Sequence, residues 1–401
     1  MFQKILCLAS VLSLLFCAAD WRQFRGPNGA SVSVENPPPE KWSDTENVAW
    51  KVELPGRGPS SPIVVSNRVY VTCSSGARQD RLLVMCFDAK SGQAMWRREF
   101  WATGRTLTHP SSAVAAPTPA SDGQRIFAFY SSNDLICLDL DGNLQWYRGL
   151  AFDYPKAGND AGMASSPVVL GDTVVVQIES QGDSFAAGID TSSGETRWRI
   201  DRERVANWSS PVAIPQRVDG KQAVVLSGPK SLVAVDVLSG QELWKYEMNC
   251  DTIASPAVTS NRIFVPAGGL TVLELGEGAS TPSLLWESNK LNPSPTSPII
   301  DGDRVLAMNK AGVVTSADAN TGKLLWQLRV GGTHWSTPVL SGELLYCLSQ
   351  DGEARVVKAG AEKGEIVSSV KVGETLQGSP AIADGAMYFR SDRHLWKIAK
   401  P

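Results

Sequence analysis

The chain has 401 residues, with 38 Lys and Arg against 41 Asp and Glu, and its formal net charge at pH 7 is −3. Proteins that bind nucleic acid cluster Lys and Arg to neutralise phosphates, and this near-neutral chain has no basic run, which argues against a nucleic-acid partner. The length alone would allow two domains, but the continuous repeat described below argues for one.

Residues 1–19 have the pattern of an export signal. Lys4 provides the positive start, residues 5–16 form an apolar core too short for a lasting membrane anchor, and Ala18 and Ala19 are small residues suited to cleavage. We therefore predict a secreted or periplasmic protein whose mature chain begins near Asp20. A lipoprotein would need a small residue before Cys17, where Phe16 stands, and no later segment is apolar enough to cross a membrane.

Residues 20–46 are predicted to form an irregular arm. Pro, Gly and Asn, including the run at 37–39, disfavour a regular strand or helix, while Trp21, Phe24 and Trp42 offer apolar anchors. We expect the arm to pack over the side or one mouth of the folded domain. The alternative is a docking peptide for another protein.

Residues 47–401 repeat one pattern, written most cleanly from Ser166 to Trp198. Each unit opens with Ser or Thr followed by Pro, and successive openings lie 40 to 57 residues apart. Several short strands in a repeat of about 40–45 residues predict a β-propeller with one four-stranded blade per repeat. Eight openings therefore predict an all-β, eight-bladed propeller. The openings are at Pro62, Pro119, Pro167, Pro211, Pro256, Pro298, Pro338 and Pro380.

Most units contain Asp-x-x-x-Gly-x-x-x-Trp, as at Asp190, Gly194 and Trp198. A Gly at this place suits a tight turn of positive φ, and an indole on an outer strand can wedge between adjacent blades. The recurrence therefore predicts packing rather than a site. The Gly residues of the copies, one shortened and one stretched, are Gly92, Gly142, Gly194, Gly240, Gly278 and Gly322.

The two ends of the repeat predict how the ring closes. The last unit, from Pro380, stops before any Gly-x-x-x-Trp, while a spare strand stands ahead of the first unit at residues 48–54. Pairing these two segments would leave no open sheet edge between the first and last blades. We therefore predict closure of the propeller by its N- and C-terminal strands.

The cysteines and one acidic turn favour structural roles. Cys73, Cys86, Cys137, Cys250 and Cys347 are an odd, scattered set without zinc-ligand spacing, so we predict no disulfide and no metal site. The segment 139–143 resembles a calcium loop but lies in the repeat's turn and lacks the distal Glu of an EF-hand, so we interpret it as a turn.

Two long insertions, at 100–116 and 150–164, lie between the Trp strand of one blade and the opening of the next. In propellers this connection crosses one face beside the central channel, so long insertions build up a binding face there. Because the later connections are shorter, we predict an asymmetric binding surface that is richest on blades one to three.

The residues just ahead of each Ser/Thr-Pro are predicted to face the channel mouth. They could hold a ligand, with Trp208 or Trp335 as a stacking surface and Asp160 or Asp251 as a metal ligand or base; a water-filled polar channel is the alternative. The candidates are Arg57, His109, Asp160, Trp208, Asp251, Asn292, His334, Trp335 and Gln377.

The Asp-x-x-[Ser/Thr]-Gly-x-x-x-Trp units, opened by Ser-Pro and covering residues 47–401, resemble the propeller repeats of the pyrroloquinoline quinone (PQQ) type. Such repeats occur in quinoprotein alcohol dehydrogenases and in BamB, the non-enzymatic outer-membrane assembly factor. The arm at 21–29, with residues 47–50, is similar to that of secreted PQQ-like propellers common in planctomycete-type bacteria. The resemblance implies the fold and leaves the chemistry open, because the repeated residues are packing residues.

By this resemblance a dehydrogenase would need a flat aromatic floor, a calcium ion and an Asp base, and the alcohol dehydrogenases also carry two adjacent cysteines that this chain lacks. We therefore predict a non-catalytic, BamB-like, monomeric scaffolding module without a cofactor. Its partner would be a protein, peptide or saccharide of the cell envelope. The alternatives are a PQQ- and calcium-dependent dehydrogenase of alcohols or sugars, and a glycan-binding propeller.

Overall fold

The structure, a computed structural model, describes residues 20–276 and 281–400. The predicted export signal at 1–19 and the turn residue Gly278 lie outside the described residues. The arm contains a short 3₁₀ helix (Pro27–Gly29) and strand β1 (Val32–Ser33), and strand β2 (Val48–Glu53) follows it.

The described chain then forms four-stranded antiparallel units in sequence order. Blade one has β3 (Ile63–Val65), β4 (Arg68–Ser75), β5 (Arg81–Asp88) and β6 (Ala94–Trp101). Blade two has β7 (Ala120–Ser121), β8 (Arg125–Phe129), β9 (Asp134–Asp139) and β10 (Leu144–Gly149), and helix α1 (Leu150–Asp153) follows it. Blade three has β11 (Val168–Leu170), β12 (Thr173–Ile178), β13 (Phe185–Asp190) and β14 (Thr196–Asp201). Blade four has β15 (Val212–Ala213), β16 (Ala223–Ser227), β17 (Ser231–Asp236) and β18 (Glu242–Glu247).

The second half of the chain continues the pattern. Blade five has β19 (Ala257–Val258), β20 (Arg262–Pro266), β21 (Leu270–Glu274) and β22 (Ser283–Ser288). Blade six has β23 (Ile299–Asp301), β24 (Arg304–Met308), β25 (Val313–Asp318) and β26 (Leu324–Arg329). Blade seven has β27 (Val339–Ser341), β28 (Leu344–Leu348), β29 (Glu353–Ala359) and β30 (Gly364–Lys371). Blade eight has β31 (Ala381–Ala383), β32 (Ala386–Arg390) and β33 (His394–Ile398).

The order of strands within a blade follows from their burial. The second and third strands, such as β12 and β17, are buried along their whole length because neighbouring blades cover both of their faces. The fourth strands, such as β6, alternate between exposed and half-buried residues, as expected at an outer edge. The first strands contact one another around the axis, as β11 does with β7 and β15. The prediction of an eight-bladed propeller is confirmed.

The N-terminal strand completes the last blade. β2 pairs antiparallel with β33, with Lys51 opposite Trp396 and Val52 opposite Leu395. The sheet order β2-β33-β32-β31 gives blade eight its fourth strand, so the outer edge of β33 is covered by backbone hydrogen bonds. The predicted closure by both termini is confirmed.

The repeated indoles join each blade to the next one. Trp198 of blade three packs over Gly240 of blade four, and its Nε1 donates a 2.8 Å hydrogen bond to the carbonyl oxygen of Val237. The predicted wedge is therefore confirmed, with the refinement that each Gly receives the indole of the preceding blade rather than the Trp four residues after it. The same pairs elsewhere are Trp50 with Gly92, Trp96 with Gly142, Trp146 with Gly194, Trp286 with Gly322 and Trp326 with Gly364.

The junction between blades seven and eight is built differently. Ser368 stands opposite Val356 at the register position that Trp96 occupies opposite Cys86 in blade one. Instead, Trp42 of the arm lies buried against Phe389 of blade eight, with ring centroids 5.7 Å apart. The arm thus supplies the indole at this seam.

The arm runs across the face that carries the Asp–Gly turns, which we call the lower face; the opposite face, with the insertions, is the upper face. Trp21 pairs with Val64 of blade one, β1 pairs in parallel with β27 of blade seven, and Tyr346 donates a 2.7 Å hydrogen bond to the carbonyl oxygen of Pro38. The arm therefore contacts blades one and seven, which flank blade eight.

Two glycines of blade four allow the indole contact to be tested. Gly240 (φ +69°) would place a Cβ 2.6 Å from the Trp198 ring, whereas Gly220 (φ +77°) has nothing within 4 Å. We expect Gly220→Ala to cost about 1–2 kcal/mol of unfolding free energy, from the left-handed backbone alone. Gly240→Ala should cost about 1–3 kcal/mol more, because the indole must also move. Urea unfolding of both variants checks this; equal losses would contradict it.

Candidate functional site

The arm fills the lower end of the central channel. Phe24 reaches the channel itself, and Arg25 lies fully buried beneath it, donating to the carbonyl oxygens of Pro256 at 2.8 Å and Pro298 at 3.2 Å. Burial lowers the pKa of Arg25 to about 9, which still leaves the guanidinium charged at pH 7. The channel is therefore a cavity that opens on the upper face.

The Ser or Thr ahead of each opening Pro forms a ring of hydrogen bonds around the cavity. The backbone N–H of Ser166 donates to Oγ of Ser210 in the next blade at 2.9 Å, and the N–H of Ser210 donates to Oγ of Ser255 at 2.9 Å. Seven consecutive junctions have this bond, at 2.9 to 3.1 Å. The seven accepting hydroxyls belong to Thr118, Ser166, Ser210, Ser255, Ser297, Thr337 and Ser379.

The eighth junction, between blades eight and one, is held by a buried arginine. Arg390 of β32 donates to the carbonyl oxygen of Thr72 at 2.6 Å, to that of Gly56 at 3.3 Å and to Oγ of Ser60 at 3.4 Å. These three acceptors all belong to the segment leading into blade one or to its second strand. The Arg390 side chain thus joins blade eight to blade one in place of a hydroxyl bond.

The cavity above the ring has a volume of about 540 Å³. Its walls carry two indoles, Trp208 and Trp335, together with Ile253. Nζ of Lys310 lies 4.6 Å from the Trp335 ring centroid, and Nε1 of Trp208 donates a 2.7 Å hydrogen bond to the carbonyl oxygen of Gly162. Among the described residues that line the cavity there is no Asp or Glu.

Four of the nine candidates named from the sequence line this cavity: His109, Trp208, Trp335 and Gln377. Nδ1 of His109 lies 2.7 Å from Oγ of Ser111, which also lines the cavity. These four residues, predicted from their position ahead of a Ser/Thr-Pro, lie together at the channel mouth.

The two acidic candidates lie elsewhere. Asp160 pairs with Arg105 at 2.6 Å beside a separate surface pocket, so it joins the two insertions to each other. The carboxylate of Asp251 accepts the backbone N–H groups of Ile253 and Ala254, which makes it the stabilising residue of a turn. Neither carboxylate faces the cavity as a base or a metal ligand would.

The remaining three candidates are also absent from the lining. Arg57 lies 3.7 Å from Asp392. Oδ1 of Asn292 accepts the N–H of Ser294. His334 is buried between the carbonyl oxygens of Gly331 and Leu348, and its burial lowers the pKa of the imidazole.

Sequence reasoning missed the hydroxyl ring, Phe24 and Lys310. A Ser or Thr precedes every opening Pro in the sequence. We used this residue only to mark where each repeat begins, and assigned no role to its hydroxyl. Lys310 lies between β24 and β25, so a rule based on the residues ahead of Ser-Pro could not reach it. Phe24 comes from the arm, which has no periodic pattern.

The insertions expose large apolar side chains on the upper face. Trp101 is 60% exposed, Leu107 is 50% exposed, and Phe152 in α1 is 87% exposed. The insertions contact each other, because the N–H of His109 donates to the carbonyl oxygen of Ala161 at 3.1 Å. The two insertions that carry these exposed side chains therefore meet on the upper face.

Other chemical groups of the described chain have structural surroundings. Its five cysteines are free and buried, and burial raises the pKa of the Cys86, Cys137 and Cys347 thiols to about 12. Residues 20–276 and 281–400 contain no group of three or more His, Cys, Asp or Glu placed to hold a metal ion. Within these ranges no helix is long and apolar enough to cross a membrane.

Comparison with known proteins gives both a family and structural neighbours. The family model described as outer membrane protein assembly factor BamB matches residues 41–199, 182–337 and 310–400. BamB of Burkholderia pseudomallei is 25% identical over 299 residues, covering 70% of this chain and 62% of that protein. The structure of BamB from Moraxella catarrhalis has a TM-score of 0.65 at 18% identity, covering 87% of this chain and 96% of that one.

A quinohemoprotein alcohol dehydrogenase from Comamonas testosteroni also has a similar structure, with a TM-score of 0.70 at 12% identity. The match covers 96% of this chain and 81% of the dehydrogenase chain. At such identity the likeness concerns the propeller fold alone.

Two neighbouring serines test the hydroxyl ring. We expect Ser210→Ala to cost about 1–3 kcal/mol of unfolding free energy, because it leaves the buried N–H of Ser166 without its acceptor. Ser209→Ala is the matched control, since the buried Ser209 hydroxyl has no hydrogen-bond partner among the described residues. Urea unfolding compares the two; a loss for Ser209→Ala as large as that for Ser210→Ala would contradict the ring's role.

Proposed function

Because the chain belongs to the BamB family of outer membrane protein assembly factors, we propose that it is a non-catalytic propeller that binds a protein partner in the cell envelope. The observation that carries the proposal is the apolar upper surface on the two insertions. Phe152, at 87% exposed, is a large side chain that the fold itself leaves uncovered. Exposed aromatic side chains grouped on loops are typical of protein interfaces.

The electrostatics of this surface suit an interface. Arg105 and Asp160 pair between the insertions, and Arg81 lies 4.6 Å from the Trp101 ring centroid. The Arg105–Asp160 pair and the His109–Ala161 hydrogen bond join the insertions to each other, while Trp101 and Phe152 stay exposed. A surface that is already ordered loses less conformational entropy when a partner binds.

The alternative, a PQQ- and calcium-dependent dehydrogenase, does not fit the cavity's side chains. Calcium in proteins is bound by six to eight oxygens that include carboxylates, whereas the described lining has no carboxylate and only one side-chain amide oxygen, that of Gln377. Asp160 and Asp251, the carboxylates proposed as ligand or base, are engaged in an ion pair and a turn. We therefore assign no reaction step to this chain.

Crosslinking tests the interface. We expect a photoreactive residue at Phe152 or Trp101 to crosslink one and the same envelope protein in producing cells, because both positions lie on the proposed contact surface. The matched control is Leu238, which is 53% exposed in the turn between β17 and β18 on the lower face. The proposal is wrong if position 238 gives the same product, or if positions 101 and 152 give none.

Titration tests the alternative. We expect purified protein to show no saturable binding of PQQ in the presence of calcium by calorimetry and visible absorbance. A dye-linked assay with alcohols and sugars should likewise show no turnover, since no carboxylate of the described chain faces the cavity. Tight binding accompanied by turnover would establish the dehydrogenase instead.

A further inference from the structure

The hydroxyl ring has hydrogen-bond donors that the protein does not use. Each of its seven accepting hydroxyls takes an N–H from the preceding blade, and none donates its own hydrogen to an acceptor in the described chain. A hydroxyl has one donor hydrogen and two acceptor lone pairs. Because all seven side chains line the cavity, the ring offers O–H donors to whatever enters it.

Among the described residues that line the cavity, the charged side chain is a cation, Lys310. Lys310 makes no ion pair with a carboxylate of the described chain, and its ammonium lies on the cavity wall beside Trp335. Arg25 lies beneath the ring, next to Ser166, Ser210 and Ser255, and its guanidinium is bonded to backbone carbonyls. One lining cation, Lys310, and a ring of O–H donors, without a carboxylate in the described lining, form a site for an anion, and the buried Arg25 adds positive charge beneath the ring.

The shape of the cavity restricts how a polypeptide could enter. Phe24 and Arg25 fill the lower end, so a chain cannot pass through from one face to the other. One end of a chain can enter from the upper face, where the exposed apolar surface lies. Of the two ends, the amino terminus is cationic and the carboxyl terminus is anionic at neutral pH. The charge of the cavity therefore selects the carboxyl terminus.

We propose that the central cavity binds the free C-terminal carboxylate of a partner polypeptide. The carboxylate accepts hydrogen bonds from the hydroxyl ring and from Lys310, and an aromatic or aliphatic last side chain packs against Trp208 and Trp335. A volume of about 540 Å³ is within the range of small-ligand pockets. This inference rests on the proposed function, because it takes the ligand to be a protein.

Calorimetry with short peptides tests the proposal. The probe is acetyl-Ala-Gln-Phe with a free carboxylate, compared with the same peptide as a C-terminal amide. We expect the acid to bind at least about tenfold more tightly, because hydrogen bonds to a charged acceptor are the stronger ones. Equal affinity of acid and amide, or no binding of the acid, would overturn the proposal.

Variants locate the binding. Lys310→Met keeps the apolar stem against Trp335 and should weaken binding of the acid about tenfold while leaving binding of the amide unchanged. The matched control, Lys90→Met, removes an exposed cation in the turn between β5 and β6 on the lower face and should change neither affinity. Near-identical thermal unfolding of both variants ensures a fair comparison. Binding of the acid that survives Lys310→Met would place the site elsewhere and overturn the proposal.

Two further outcomes separate this proposal from the one on which it rests. If benzoate or 3-phenylpropionate binds as tightly as the peptide acid, the cavity takes small carboxylic acids and the polypeptide source is wrong. If the peptides do not bind but position 152 still crosslinks to its partner, the proposed interface on the insertions is supported and the proposed carboxylate site in the cavity is wrong. The two proposals therefore fail separately.

Discussion

The centre of the propeller depends on one requirement: the buried backbone N–H ahead of each opening Pro needs a hydrogen-bond acceptor. A Ser or Thr followed by Pro directly precedes each innermost strand; the Pro holds the residue before it in an extended conformation and cannot itself donate a hydrogen bond. The N–H just ahead of the Pro is buried at the axis and needs an acceptor from another blade. The hydroxyl of the next Ser or Thr supplies it, at 2.9 to 3.1 Å. The same hydrogen bonds thus join adjacent blades and line the cavity with hydroxyl groups.

The outer belt of indoles and the inner belt of hydroxyls both depart from the repeat at blade eight, where the chain's two ends pair. The repeated indole is missing at its junction with blade seven, and the hydroxyl bond is replaced at its junction with blade one. Trp42 and Arg390 take over these two tasks with an aromatic contact and a buried guanidinium. Both solutions use residues outside the repeat pattern. A closed ring made from an open chain needs such exceptions at one place.

The sequence could predict whatever depends on neighbouring repeats. Blade number, the closing strand and the left-handed glycines follow from local strand pairing, which recurs with every unit, as at Gly194 and Gly240. The cavity depends on distant contacts: Phe24 reaches the axis only because the arm crosses the lower face, and Lys310 arrives from a turn between strands. His334 shows the limit of a positional rule, since two carbonyl oxygens beside its ring draw the side chain inward instead. The repeats therefore determine the propeller fold, whereas cavity residues such as Phe24 and Lys310 come from segments outside the repeat pattern.

The course of the arm has a consequence for the order of folding. Arg25 contacts Pro298, Pro38 contacts Tyr346, and β2 pairs with β33, so the segments made first find their partners among those made last. Contacts between such distant parts of a chain form slowly, because a long loop must close before they are made. Trp21 can pair with Val64 of blade one early in synthesis, but Trp42 remains without its partner Phe389 until blade eight is made. Until blade eight is made, the incomplete propeller exposes this apolar surface and an open strand edge, features that favour aggregation in general.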